Sequence, residues 1–130
     1  RDPKKIYVID TGMRNIHARS LQDDMGKLAE NIVYLELRRR NHEIFYYQDR
    51  TEVDFITTRM GKPDQAIQVC YSDMENETTF RRERDALIHC LKSLSLSAGK
   101  ILTMNREEHL SIEGIAIEMV PLYKYLTDKW

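Results

Sequence analysis

Three strand-like stretches follow one another in this chain with connections too short to let them run parallel. Glu43-Ile44-Phe45-Tyr46-Tyr47-Gln48 is rich in aromatic and β-branched residues. Asp49-Arg50 makes a tight link to Glu52–Thr58, and Gly61-Lys62-Pro63-Asp64 is predicted as the turn into Ala66–Tyr71. Parallel neighbours need a crossover of roughly a dozen residues, so these three stretches must form an antiparallel meander. Everything else in the chain has to be wrapped around that sheet.

Upstream, Lys4–Asp10 reads as a strand ended by Thr11-Gly12, and its apolar residues on both faces suit an interior position. Met13–Ala18 is predicted as a brief helix, and Ser20–Asp24 as a loop with Asp24 as N-cap of the next element. Gly26–Arg40 is the clearest helix. Leu28, Ile32 and Leu35, with Ala29, Val33 and Glu36 beside them, carry its three-and-four spacing. Burying Leu28, Ile32, Val33 and Leu35 would contribute roughly 1.5–3 kcal/mol each before entropy is counted. Arg38, Arg39 and Arg40 complement the negative end of the helix dipole, and Asn41 is a suitable stop.

Downstream, Ser72–Thr78 reads as an acidic loop. A second helix is predicted from about Thr79 to Leu96, with Phe80, Leu87, Leu91 and Leu94 on one stripe and Gly99 as its terminator. Lys100–Thr103 is a fourth strand of the sheet core, parallel to its neighbour because a helix intervenes. Asn105–Glu113 is polar, Ile115–Val120 is a further strand, and Pro121 starts a short closing helix that reaches Trp130. The predicted fold class is α/β, a mixed sheet with helices on both faces.

The 130 residues, 42% hydrophobic and 32% charged, suit one globular domain over 1–130. A net charge of −1 neither demands nor excludes nucleic acid. No run of roughly 18 apolar residues is present, so no membrane span is expected. Two cysteines, Cys70 and Cys90, give no disulfide framework, and a reducing cytoplasm is the expected setting. The chain starts at Arg1, as an excerpt of something longer would. An oligomer is left open.

Glu30 on the helix, Asp54 in one strand and Gln68 in the next are the candidate constellation. Mg²⁺ takes oxygen ligands and keeps several waters, so two or three protein oxygens suffice. Such an ion polarises a phosphoryl oxygen and generates a hydroxide for in-line attack. Asp54 and Glu30 offer carboxylates, Gln68 an amide oxygen and Val69 a backbone carbonyl. Alternation along the strand turns Gln68 and Cys70 one way and Val69 the other.

The ordered set of Lys5-Ile6-Tyr7-Val8-Ile9-Asp10-Thr11-Gly12, Leu28-Ala29-Glu30-Asn31-Ile32-Val33-Tyr34-Leu35-Glu36-Leu37, Glu52-Val53-Asp54-Phe55 and Ile67-Gln68-Val69-Cys70-Tyr71 carries a resemblance. It is similar to the PD-(D/E)XK nuclease-like superfamily. More narrowly it resembles the C-terminal domain of a large group of archaeal and bacterial AAA+-type ATPases. The resemblance implies a restriction-endonuclease-like core, an ATPase region of the same protein as partner, and DNA or RNA as a further partner. It also implies catalytic and metal-binding roles for Glu30, Asp54 and Gln68, with Mg²⁺ as the cofactor. Two departures stand against the family pattern. Gln68 replaces the second acid, and Cys70 occupies the position of the lysine that would stabilise charge developing on phosphate. A thiol supplies no cation at neutral pH, and a thiolate is a poor match for Mg²⁺. Lys27 and Arg81 are candidates for a cation entering from elsewhere.

The implied function is therefore a nuclease-like accessory domain, nucleic-acid-associated, with a weak or degenerate phosphodiesterase site. The alternative is an inactive interaction or assembly module on the same fold. No Gly-x-x-x-x-Gly-Lys loop is present, so the chain is not expected to bind ATP itself. Plainer readings stay open. Asp54 can pair with an arginine, Glu30 can be a solvated helix residue, and Gln68 can hydrogen-bond a neighbouring strand. Cys70 and Cys90 fit as small buried residues. Arg81, Arg82 and Arg84 are candidates for phosphate contact, against ion pairing with Glu83 and Asp85. Asp73, Glu75 and Glu77 lack the glycine and terminal acid of a calcium loop. His17, His42, His89 and His109 show no paired ligand spacing.

Overall fold

A computed structural model describes residues 5–8, 21–71 and 77–128. In chain order the elements are β1 (Lys5–Val8), α1 (Leu21–Arg39), β2 (Glu43–Gln48), β3 (Glu52–Arg59) and β4 (Lys62–Cys70), then α2 (Glu77–Ser93), β5 (Ala98–Thr103), β6 (Glu108–Ile112), β7 (Ile115–Pro121) and α3 (Leu122–Thr127). The seven strands form one mixed sheet in the order β1-β2-β3-β4-β5-β7-β6. β1 through β4 are antiparallel neighbours, as the short connections require. β5 is parallel to both β4 and β7, and β6 closes the far edge antiparallel to β7.

Two apolar clusters lie on the two faces of this sheet. Against α2 sit Tyr47, Val53, Ile56, Cys70, Ile101, Ile117 and Met119, with Phe80, Leu87 and Leu91 from the helix. Against α1 and α3 sit Ile44, Phe55, Ile67, Val69, Leu102 and Val120, with Ala29, Val33 and Leu37 from α1 and Leu122 and Tyr125 from α3. Arg40 ties the two helices of that face together. Its guanidinium stacks on the Tyr125 ring at 4.5 Å, donates to the Tyr125 carbonyl at 2.9 Å and pairs with Glu36 at 2.8 Å. No described helix is long and apolar enough to cross a membrane.

Several elements differ from the sequence expectation. α1 begins at Leu21, so Asp24 lies within the helix rather than capping it, and the expected loop up to Asp24 gives way to helix from Leu21 onward. The inner stripe of α1 is Ala29, Val33 and Leu37, whereas Leu28 is 40% and Leu35 52% exposed. Both rows have helical spacing, and the row of Ala29, Val33 and Leu37 faces the sheet. β1 is an edge strand, not an interior one. The Met13–Ala18 helix falls outside the described residues. α2 stops at Ser93, not Leu96, and Gly99 belongs to β5. The stop is a Schellman motif. Ser95 has φ 60°, its N–H reaches the Lys92 carbonyl at 3.2 Å, and the Leu96 N–H reaches Leu91 at 2.8 Å. α1 ends the same way at Asn41, as its sequence suggested. The turn between β3 and β4 is Met60-Gly61, with Arg59 already opposite Lys62, so Pro63 and Asp64 are strand residues. Pro63 is tolerated because pairing with β5 begins only at Ile67.

Candidate functional site

The β3–β4 pair comes apart where the candidate residues lie. Register partners run from Arg59 and Lys62 up to Phe55 and Ile67, and β4 then continues against β5 alone. On its other side, β3 carries a bulge. Phe45 opposes Ile56 and Tyr47 opposes Val53, so Asp54 and Phe55 together face Tyr46. The extra residue breaks the strict alternation, sending Val53 to the α2 face and Phe55 to the α1 face.

Unpaired backbone groups in such a split are costly when buried, and two side chains take them up. The Asp54 N–H donates to Gln68 Oε1 at 2.9 Å, and the Val69 N–H donates to Asp54 Oδ2 at 2.8 Å. Gln68 Nε2 donates to the Glu52 carbonyl at 3.3 Å and also to Glu83 Oε1 on α2. Gln68 is 4% exposed and Asp54 half-buried. The structure thus brings Asp54 and Gln68 together by reciprocal side-chain-to-backbone bonds.

The other expected residues are placed as follows. Glu30 is half-buried on α1, on the face opposite the helix that Gln68 reaches. Cys70 is 6% exposed and packs toward α2. Burial pushes its thiol up to about 11, with the carboxyl groups of Glu83 and Asp54 adding to the shift and Arg82 and Arg106 opposing it. Cys70 therefore stays a neutral thiol. Cys90 is fully buried, as a core residue. Lys27 is half-exposed on α1. Among the described residues no group of three or more His, Cys, Asp or Glu side chains is arranged to hold a metal ion.

Two participants lie outside the residues to which the sequence points as a site. Glu83 appeared in the sequence only as a charge to balance its arginine neighbours. Burial holds its carboxyl above the usual range, although the Gln68 amide and Arg82 pull the other way. Its position on the inner side of α2, three residues after the buried Phe80, was the available signal. Arg106 lies in the β5–β6 connection, stacked on the Phe80 ring at 4.4 Å and paired with Glu108 at 2.6 Å and Glu77 at 3.0 Å. Its pairing with Glu108 is local, but Glu77 and Phe80, which bring it to α2, are distant in sequence, so no local motif marks it.

A cleft of about 590 Å³ opens beside this cluster, between the β2–β3 turn and the start of α2. Arg81 and Arg82 line it together with Glu52, Glu83 and Asp85. Arg84 lies 3.5 Å from Asp85. The arginines expected to meet phosphate are thus interleaved with carboxyl groups, which lowers the local positive potential.

A model of the family described as "Domain of unknown function (DUF4143)" matches residues 25–125. The chain belongs to the DUF4143 family. The match runs from α1 to α3 and so includes Glu30, Asp54, Gln68, Cys70 and Glu83. This DUF4143 chain is also similar to the uncharacterized protein MJ1544 of Methanocaldococcus jannaschii, 39% identical over a 132-residue alignment. The alignment covers 93% of the chain but 29% of that relative, so the chain spans less than a third of the relative's length.

Proposed function

We propose that this chain is a nuclease-like accessory domain of an ATPase-bearing protein, and that it associates with nucleic acid without cutting it. One observation carries the absence of cutting. Asp54 Oδ2 and Gln68 Oε1, two oxygens that a metal here would draw on, each accept a backbone N–H across the β3–β4 split. This donor set suits a structural tie. Gln68 brings no charge, its amide nitrogen faces Glu83, and the neighbouring Cys70 is a neutral thiol. Mg²⁺ favours charged oxygens in a nearly octahedral array. A restriction-endonuclease-like ancestry fits the mixed sheet with helices on both faces and the acid beside the strand split.

The ATPase link draws support from the frequent occurrence of DUF4143 domains with AAA-type ATPases, and from the length of the relative beyond the aligned part. Two buried, free cysteines fit a reducing, cytoplasmic setting.

The test is an incubation with single- and double-stranded DNA and RNA in Mg²⁺ and in Mn²⁺, read on denaturing gels. No cleavage is expected, while native gels show a complex that weakens as salt rises. Cleavage that disappears in both Glu30→Gln and Asp54→Asn would instead establish a working nuclease. A protein that neither cuts nor shifts any nucleic acid would leave the inactive assembly module as the reading.

A further inference from the structure

The β3–β4 hairpin ends in a residue that neither its turn nor the core explains. Met60 and Gly61 form a two-residue loop closed by Arg59 opposite Lys62, with φ of 54° and 78°. Two positive φ values in succession are the signature of a type I′ turn, which favours Asn-Gly or Asp-Gly. Met60 instead places a long apolar side chain in the left-handed region while 94% exposed. The second hairpin, β6–β7, offers a control. Its left-handed residue, Glu113 (φ 52°), is polar and forms an ion pair with Lys92.

A single exposed apolar residue is ordinary. Here exposure, an unfavourable backbone and flanking cations coincide. Arg59 has 74% of its side chain exposed and Lys62 is exposed as well. Arg59 forms a long ion pair with Asp64 at 3.8 Å, and Glu43 accepts from the Thr58 hydroxyl at 2.7 Å. A Cβ on Gly61 would meet nothing within 4 Å, so the tip stands clear of its surroundings.

We infer that this hairpin tip is a contact for duplex nucleic acid, with Arg59 and Lys62 on backbone phosphates and Met60 as an apolar wedge at a base step. Proteins that bend a duplex through its minor groove use isolated apolar side chains, methionine among them, to unstack a step. Cations on either side fix the position on the backbone without reading sequence. The inference rests on the association reading above but places the contact on a different surface from the arginine-lined cleft.

The experiment measures binding of the full chain to an end-labelled DNA duplex at several salt concentrations, by anisotropy and by energy transfer between the duplex ends. Met60→Asn installs the residue the turn prefers, so its melting temperature is expected to equal or exceed that of the wild type. Its affinity is expected to fall about tenfold, with loss of the end-to-end shortening. Arg59→Gln with Lys62→Gln should flatten the slope of log K against log salt by about two. If Met60→Asn binds and bends as the wild type does, the wedge is wrong while the association reading stands. If the wild type binds no duplex even at low salt but shifts single strands, the inference fails while the association reading stands; if it shifts neither, both fail. Binding to phosphatidylserine vesicles in place of duplex would overturn the inference in favour of a lipid surface.

Discussion

Glu83 is the residue whose surroundings most clearly separate a structural cluster from a reactive one. Its carboxyl is half-buried beside Gln68 and Cys70, and this burial raises its pKa despite the Gln68 donor and Arg82. A raised folded-state value means that the native protein holds this proton longer than the unfolded chain does. Stability from the group is then complete below the ordinary glutamate value and is lost as pH rises through the folded value. Glu83→Gln keeps an oxygen for the Gln68 amide but cannot ionise. The variant should therefore gain in melting temperature over the wild type as pH rises from about 4 to 7. A difference that stays flat across that range would mean that Glu83 is not desolvated as described. Asp54 and Gln68 themselves were legible as a pair from strand adjacency. Their actual partners were not, because which backbone N–H groups lack a strand neighbour depends on where the ladder splits.

At the level of elements, the chain discloses most where periodicity and punctuation agree. β2 and the central strands follow from β-branched and aromatic content, and Asn41 marks the end of α1. α1 was harder, because two adjacent rows have helical spacing and only the sheet decides which is buried. β6 lies in the stretch that reads simply as polar, although Leu110 and Ile112 alternate with polar residues ahead of the Glu113-Gly114 turn. An edge strand with one neighbour needs little apolar content, so its signal is faint. α2 ends earlier than Gly99 suggests because Ser95, not a glycine, adopts the left-handed C′ conformation. Ser95→Gly should accordingly stabilise the protein by about 0.5–1 kcal/mol in denaturant titration, through relief of that conformation. A loss of stability would contradict the assigned helix stop. Gly99, by contrast, is needed for contact. A Cβ there would lie 2.9 Å from Leu91 Cδ1 and 3.2 Å from Leu87 Cδ2. Gly99→Ala should cost about 1–3 kcal/mol in the same measurement by overpacking the α2–β5 contact.

For the molecule as a whole, one sheet with an apolar cluster on each face sets the frame, and the opening between β3 and β4 lies within it. The mixed sheet and its flanking helices follow from element order and connection lengths. What the polar residues in the opening are for depends on atoms, since an acid and an amide beside a split can hold either a cation or two backbone N–H groups. The distances of 2.8 and 2.9 Å favour the second use. Calorimetric titration of the protein with Mg²⁺, run beside Asp54→Asn, tests this most directly. Neither protein should give saturable heat at sub-millimolar Mg²⁺. Tight, saturable binding in the wild type that is lost in Asp54→Asn would mean that these residues hold a metal after all.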